Sequence, residues 1–191
     1  VWKTSDWSSE PLGGRLPGSV FGIAFSPDGT RIAVAGGPSA SIVIDLSSRK
    51  SVLPLDSRGG NFASLAFSSD GTRLAAGTGH NVIYLWDLNE RKEIASLRGH
   101  VAGVAALAFS PDGHTLASCG DQRVKLWSME TLQEILTLGR FPSSAGWAMF
   151  SSDGTCLATN SQDDRVHLWR APSWEEINAA EAKGKESTKP Q

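Results

Sequence analysis

Short runs of alternating small and large apolar residues recur along the chain, each pair broken by a polar turn. "VFGIAF" at 20–25 is followed by "RIAVAG" at 31–36, and "FASLAF" at 62–67 by "RLAAGT" at 73–78. "VAALAF" at 104–109 precedes "TLASCG" at 115–120, and "GWAMF" at 146–150 precedes "CLATNS" at 156–161. A period of two over about six residues predicts half-buried strands, so each pair predicts a β-hairpin. Third strands are predicted at "SIVIDL", "VIYLWDL", "VKLWSM" and "VHLW". Fourth strands are predicted at "KSVLPL", "KEIASL" and "QEILTL", after polar turns such as "SSRK" and "NERK".

The hairpin turn is written four times: "FSPDGT" at 25–30, "FSSDGT" at 67–72, "FSPDGH" at 109–114 and "FSSDGT" at 150–155. Pro27 and Pro111 preset φ early in the turn. Asp28, Asp70, Asp112 and Asp153 can bond their own backbone, and the glycine that follows each accepts a positive φ. The four phenylalanines, Phe25, Phe67, Phe109 and Phe150, are spaced by 42, 42 and 41 residues. Four short antiparallel strands in a unit of about forty residues make one blade of a β-propeller. The expected units are about 17–55, 56–98, 99–138 and 139–170, with 1–16 the end of a preceding blade.

With 191 residues and 40% hydrophobic content, the chain can bury a sizeable core, and one repeat pattern argues against two unrelated domains. The net charge of −2 supplies no basic field, so nucleic acid is not an expected partner. Cys119 and Cys156 each sit at a predicted second strand, where a thiol serves as a small apolar residue. No apolar run reaches membrane-spanning length and no signal peptide is visible, which gives the expectation of a cytoplasmic protein with no membrane partner. The chain starts at Val1, and "VW" reads like the end of a third strand, so sequence upstream is expected to be missing.

In the third unit, "GH" at 99–100, "FSPDG" at 109–113, "LAS" at 116–118, Asp121 and "LW" at 126–127 together resemble the WD40 repeat family. Trp86–Asp87 is the dipeptide that names it, and the resemblance covers most of residues 1–170. TolB-like propellers share the "FSPDG" turn, but "LW" at 85–86, 126–127 and 168–169 favours WD40. The resemblance implies an all-β WD40-type propeller of four units with four antiparallel strands each, part of a larger ring. It also implies a hydrogen-bonded structural tetrad in each blade. His100, Ser118, Asp121 and Trp127 match it fully; Thr159, Asp163 and Trp169 match in the fourth unit, where Phe141 stands in the histidine position. The second unit keeps Trp86 but has His80 for the aspartate, and the first has Ile44 for the tryptophan.

His100, Ser118 and Asp121 are also the residue types of a nucleophilic triad, which leaves a propeller hydrolase, or a TolB-like periplasmic propeller, as an alternative. The spacing follows the structural repeat, and there is no "GxSxG" elbow. His80, His100, His114 and His167 fall in different units or on different elements, and no "HExxH" or paired "CxxC" occurs. No metal, cofactor or catalytic residue is therefore expected. Any kinase activity would belong to sequence outside this chain.

Binding is expected in the loops that join fourth to first and second to third strands. Arg58, Asn61, Gln122, Arg123, Arg140, Phe141 and Arg165 lie there, and arginine and aromatic residues are frequent binding hot spots. Trp147 stands where the other units have Gly22, Ser64 and Ala106. Packing into space left by Ala148 is the favoured account of it, and the central channel or an open blade edge the other. In the tail, Ser173 and Glu176 form a capping box, and Trp174, Ile177 and Ala180 recur at helical spacing, predicting a short amphipathic helix within 171–191 before a polar end. The ending "LWRAPSWEEINAAEA" resembles the close of WD40 arrays in large planctomycete-type bacterial proteins, some fused to Ser/Thr kinase domains. The expected function is a non-catalytic scaffold that binds a protein or peptide, a WD40 module of a larger bacterial regulatory protein. Self-association to complete a ring, and a purely structural spacer, are the further readings.

Overall fold

The computed structural model describes residues 18–37, 41–58, 60–139, 141, 145–161 and 165–170. They form fifteen strands in four antiparallel sheets. The first sheet is β1 (Val20–Phe25), β2 (Arg31–Gly36), β3 (Ile42–Asp45) and β4 (Lys50–Pro54). The second is β5 (Phe62–Phe67), β6 (Arg73–Thr78), β7 (Val82–Asp87) and β8 (Lys92–Arg98). The third is β9 (Val104–Phe109), β10 (Thr115–Gly120), β11 (Arg123–Ser128) and β12 (Glu134–Leu138). The fourth is β13 (Ala145–Phe150), β14 (Cys156–Ser161) and β15 (Arg165–Arg170). Within every sheet the spatial order follows the chain order. The fourth sheet has three strands among the described residues, where the expected unit has four. The predicted helix within 171–191 and the blade end at 1–16 lie outside the described residues.

The repeated turn owes its geometry to a serine as much as to the Asp-Gly pair. Ser26, Ser68, Ser110 and Ser151 each donate a hydroxyl to the aspartate two residues on, at 2.5–2.6 Å. Each hydroxyl also accepts the backbone N–H five residues on, at 2.8–2.9 Å. The aspartate accepts the N–H two residues beyond itself, closing a second small ring. Gly29, Gly71, Gly113 and Gly154 take φ of 68–74°, which a side chain at that position would strain. Turns of neighbouring sheets touch: Pro27 lies against Gly71, Ser69 against Gly113 and Pro111 against Gly154.

The sheets stack face to face around their first strands. β1 lies beside β5, β5 beside β9 and β9 beside β13, and among the described residues no comparable contact joins β1 to β13. Each junction buries one apolar cluster. Ala33, Val43 and Leu53 of the first sheet meet Phe62, Phe67, Leu74 and Trp86 of the second. Ala75, Ile83 and Leu85 meet Val104, Leu107, Leu116 and Trp127. Ala117, Cys119 and Val124 meet Phe141 and Leu157, with Phe150 and Trp169 packed alongside. The small residues of the second strands let the sheets approach, and the large residues of the next sheet fill the space.

Candidate functional site

The third sheet contains the chemistry-bearing constellation. β10 sets Ser118 in its centre, β11 places Trp127 on the neighbouring strand, and the loops before β9 and after β10 bring in His100 and Asp121. Trp127 Nε1–H donates to Ser118 Oγ at 2.8 Å. Ser118 Oγ lies 2.7 Å from His100 Nε2, and His100 Nδ1 is bonded to the Asp121 carboxylate. The other carboxylate oxygen accepts the Val101 N–H at 3.2 Å. With the indole donating to Oγ, the Ser118 O–H points to His100 Nε2 and the Nδ1–H to Asp121. This is the proton arrangement of a hydrolase triad, but its surroundings prevent that chemistry. Ser118 is 0% exposed and its oxygen already receives the indole proton. Burial lowers the His100 pKa below 6.5 against the opposing pull of Asp121, so the ring is held neutral. The four residues tie together two loops and two strands.

Beside them is a feature that sequence reading passed over. Lys125 is buried, and its ammonium donates to both oxygens of Glu134 at 2.8 Å and to Thr137 Oγ1 at 3.0 Å. A lysine in an alternating "VKLW" strand and a glutamate nine residues on, at the head of the next strand, were the available signal.

The fourth sheet keeps part of the same scheme. Trp169 Nε1–H donates to Thr159 Oγ1 at 3.0 Å, while Asp163 lies outside the described residues. Phe141 corrects its expected place in a partner-binding loop, since it is buried. It fills the position that His100 holds in the third sheet, with its ring edge-on to His167 at 4.8 Å and to Trp169 at 6.1 Å. The second sheet substitutes aromatic packing for the polar network: Phe62 meets Trp86 and Tyr84 edge-on at 5.6 and 6.2 Å.

Of the other loop candidates, Arg58 is engaged within the chain. Its guanidinium pairs with Glu93 at 2.8 Å and lies 5.0 Å from the centre of the Tyr84 ring. Asn61 is exposed and Gln122 half-buried with a φ of 65°. Arg123 and Arg165 are exposed at the first positions of β11 and β15, so they occupy equivalent places on adjacent sheets. Arg140 lies outside the described residues. Trp147 corrects the packing account favoured for it: it is 70% exposed on β13, not in a loop. It lines a trough of about 290 Å³ along the inner strands, together with Phe21, Leu65 and Leu107. Cys119 is a buried thiol whose pKa is pushed up to about 12 by burial, which removes its reactivity as a thiolate. No group of His, Cys, Asp and Glu that could hold a metal occurs among the described residues.

A family model described as WD domain, G-beta repeat matches residues 11–43, 54–87, 91–128 and 143–170. A Coronin-like protein of Saccharomyces cerevisiae is 40% identical over 53 residues, which is 28% of this chain and 8% of that protein. The crystal structure of RRP9 WD40 repeats superimposes with a TM-score of 0.73 at 24% identity, over 86% of this chain and 50% of that one. At that identity the likeness is one of fold. The chain thus spans a small part of the Coronin-like protein and half of the RRP9 chain.

Proposed function

We propose, from the premise that this chain belongs to the WD40 repeat family, that it is a non-catalytic interaction module which holds a protein or peptide partner. WD40 domains generally bind proteins or peptides and are generally not catalysts. One observation carries the reading to this chain. Arg123 and Arg165 are exposed at equivalent rim positions of adjacent sheets, whereas the triad-like residues are sealed behind Trp127. Two guanidiniums on a rigid frame suit an acidic or carboxylate-bearing peptide, because their forked donors match a carboxylate. A setting in a larger bacterial regulatory protein, in the cytoplasm, extends the same reading, supported by the resemblance of the chain's ending.

The test is binding to a displayed peptide library, followed by titration of the selected peptides. The expected result is saturable binding that falls at least tenfold in Arg123→Ala/Arg165→Ala, with an unchanged melting temperature. No binder, or binding indifferent to both arginines, would reject the rim. A hydrolase would show turnover that disappears in Ser118→Ala. The burial of Ser118 argues against it.

A further inference from the structure

We propose that the junction between the first and second sheets holds a binding site for a free α-amino acid with a small branched aliphatic side chain, built from Arg31, Arg91, Asp45 and the apolar wall of one cavity. The site goes beyond the partner-binding reading and does not depend on it. Arg31 opens β2 and Arg91 directly precedes β8, so both lie at the opposite ends of the strands from Arg123 and Arg165.

A cavity of about 150 Å³ lies between these two sheets. Val43, Val52, Leu53 and Leu88 make its apolar wall, and Arg31, Asp45 and Arg91 supply its charged groups. Val43, Leu53 and Leu88 belong to the buried cluster of the junction and Val52 packs against it, so the wall is held by the core. A space of that size takes an aliphatic group of a few carbons. Arg31 is half-buried and Arg91 exposed. Among the described residues neither guanidinium makes a hydrogen bond or an ion pair.

The next junction shows how the same repeat closes this space. There Leu132, five residues after Trp127, packs onto the apolar cluster, and Arg73 donates to the Met129 carbonyl at 2.9 Å. In the first junction Arg91 stands five residues after Trp86, with nearly the same positive φ, 54° against 58° for Leu132. Arg31 holds the place of Arg73, two residues after the turn glycine, and Leu88 the place of Met129, two residues after the tryptophan. The bond that would correspond, from Arg31 to the Leu88 carbonyl, is not made. An apolar residue at 91 would close the cavity as Leu132 does. A guanidinium stays at the surface, because burying an unpaired cation is costly, and the space beneath it stays open.

The three charged groups select a zwitterion. Two guanidiniums offer forked donors to one carboxylate. Asp45 Oδ1 accepts the Ser48 N–H, the Ser47 hydroxyl and the Ser48 hydroxyl, each at 2.7 Å. Those bonds favour the ionised carboxylate, which suits an ammonium. An α-amino acid presents a carboxylate, an ammonium and a side chain from one carbon. The cavity presents two cations, one anion and an apolar wall of matching size. A simple anion such as phosphate would gain the arginines and be repelled by Asp45.

The test is calorimetric titration of the full chain with L-leucine and L-valine, and with relatives that each lack one group: leucinamide, isocaproate and glycine. The expected result is saturable binding of L-leucine or L-valine at one site, at least tenfold weaker for every relative. Arg91→Leu, which installs the residue of the next junction, is expected to abolish binding at an unchanged or higher melting temperature. Asp45→Asn is expected to weaken L-leucine at least tenfold and not to weaken isocaproate; thermal melting checks that each variant still folds. No saturable binding of either amino acid, equal binding of leucinamide, or binding indifferent to Arg91→Leu would each overturn the proposal. So would a peptide ending in leucine that binds where the free amino acid does not, since that assigns the cavity to a chain terminus. The Arg123→Ala/Arg165→Ala chain is expected to bind L-leucine as the wild type does, so failure of the rim and failure of this site are read separately.

Discussion

The hydroxyl of Ser118 receives the indole proton of Trp127 across the β10–β11 pair, at 2.8 Å. Because the same hydroxyl meets His100, one small side chain links Trp127 to the His100–Asp121 pair. Ser118→Ala leaves the indole N–H and His100 Nε2 without their partner in a dry site. The expected loss is about 1–3 kcal/mol of stability, read as a lower denaturation midpoint at unchanged slope. An unchanged midpoint would mean that the network carries no stability.

Acid should destabilise the protein in two stages. Burial sets the His100 pKa below 6.5, so the unfolded chain takes that proton first. Stability is therefore complete above pH 6.5 and begins to fall below it. The turn carboxylates follow. The Ser26 hydroxyl foremost holds Asp28 at about 2, and the Ser48 backbone N–H foremost holds Asp45 at about 2, both down from 3.8. Their contribution is intact above pH 3.8 and is lost as the pH falls towards about 2. Melting temperature against pH measures both stages, and His100→Gln should remove the upper one. An upper stage that persists in that variant would belong to another group.

Phe141→Ala should act on the fold. The ring is buried against His167 and Trp169, while the Phe141 backbone N–H, which the change leaves in place, donates to the Gln122 carbonyl at 2.8 Å. Truncating a buried phenylalanine costs about 3–5 kcal/mol. A melt within a degree or two of wild type, with weakened peptide binding, would return Phe141 to the binding surface.

Gly77→Ala tests the spacing between the second and third sheets. A Cβ there would stand 2.5 Å from Ser64 Oγ and 2.7 Å from Val104 Cγ1. Ser64 is held by its bond to the Val104 carbonyl, so neither neighbour yields freely. Overpacking of this kind costs about 1–3 kcal/mol in denaturant unfolding. Gly79→Ala, with nothing within 4 Å of the added carbon, is the control on the neighbouring loop.

The strands and turns were legible in the sequence because alternation and Asp-Gly are local signals. What depended on neighbours in space was not. The serine in each "FS" pair was visible four times, yet its hydroxyl bridge spans five residues and shows only once the turn is closed. Phe141 was recognised as standing in the histidine position, but a loop residue reads as exposed until Trp169 and His167 are placed beside it. Trp147 stood out from Gly22, Ser64 and Ala106 by size alone. Its exposure depends on which sheets pack beside β13, and among the described residues those are its own and the third. The Lys125–Glu134 pair needed the register of β11 on β12 to bring the two ends together.

In each sheet the strands stand in the order in which the chain supplies them. No strand therefore waits for a distant partner, and the loop entropy lost in forming any one sheet is small. Nucleation is open to every repeat, and opening of the structure is local in the same way. Amide exchange should grade accordingly: slowest in β10, which the Ser118 network anchors, and faster towards β1 and β15, whose sheets each pack on one other sheet among the described residues.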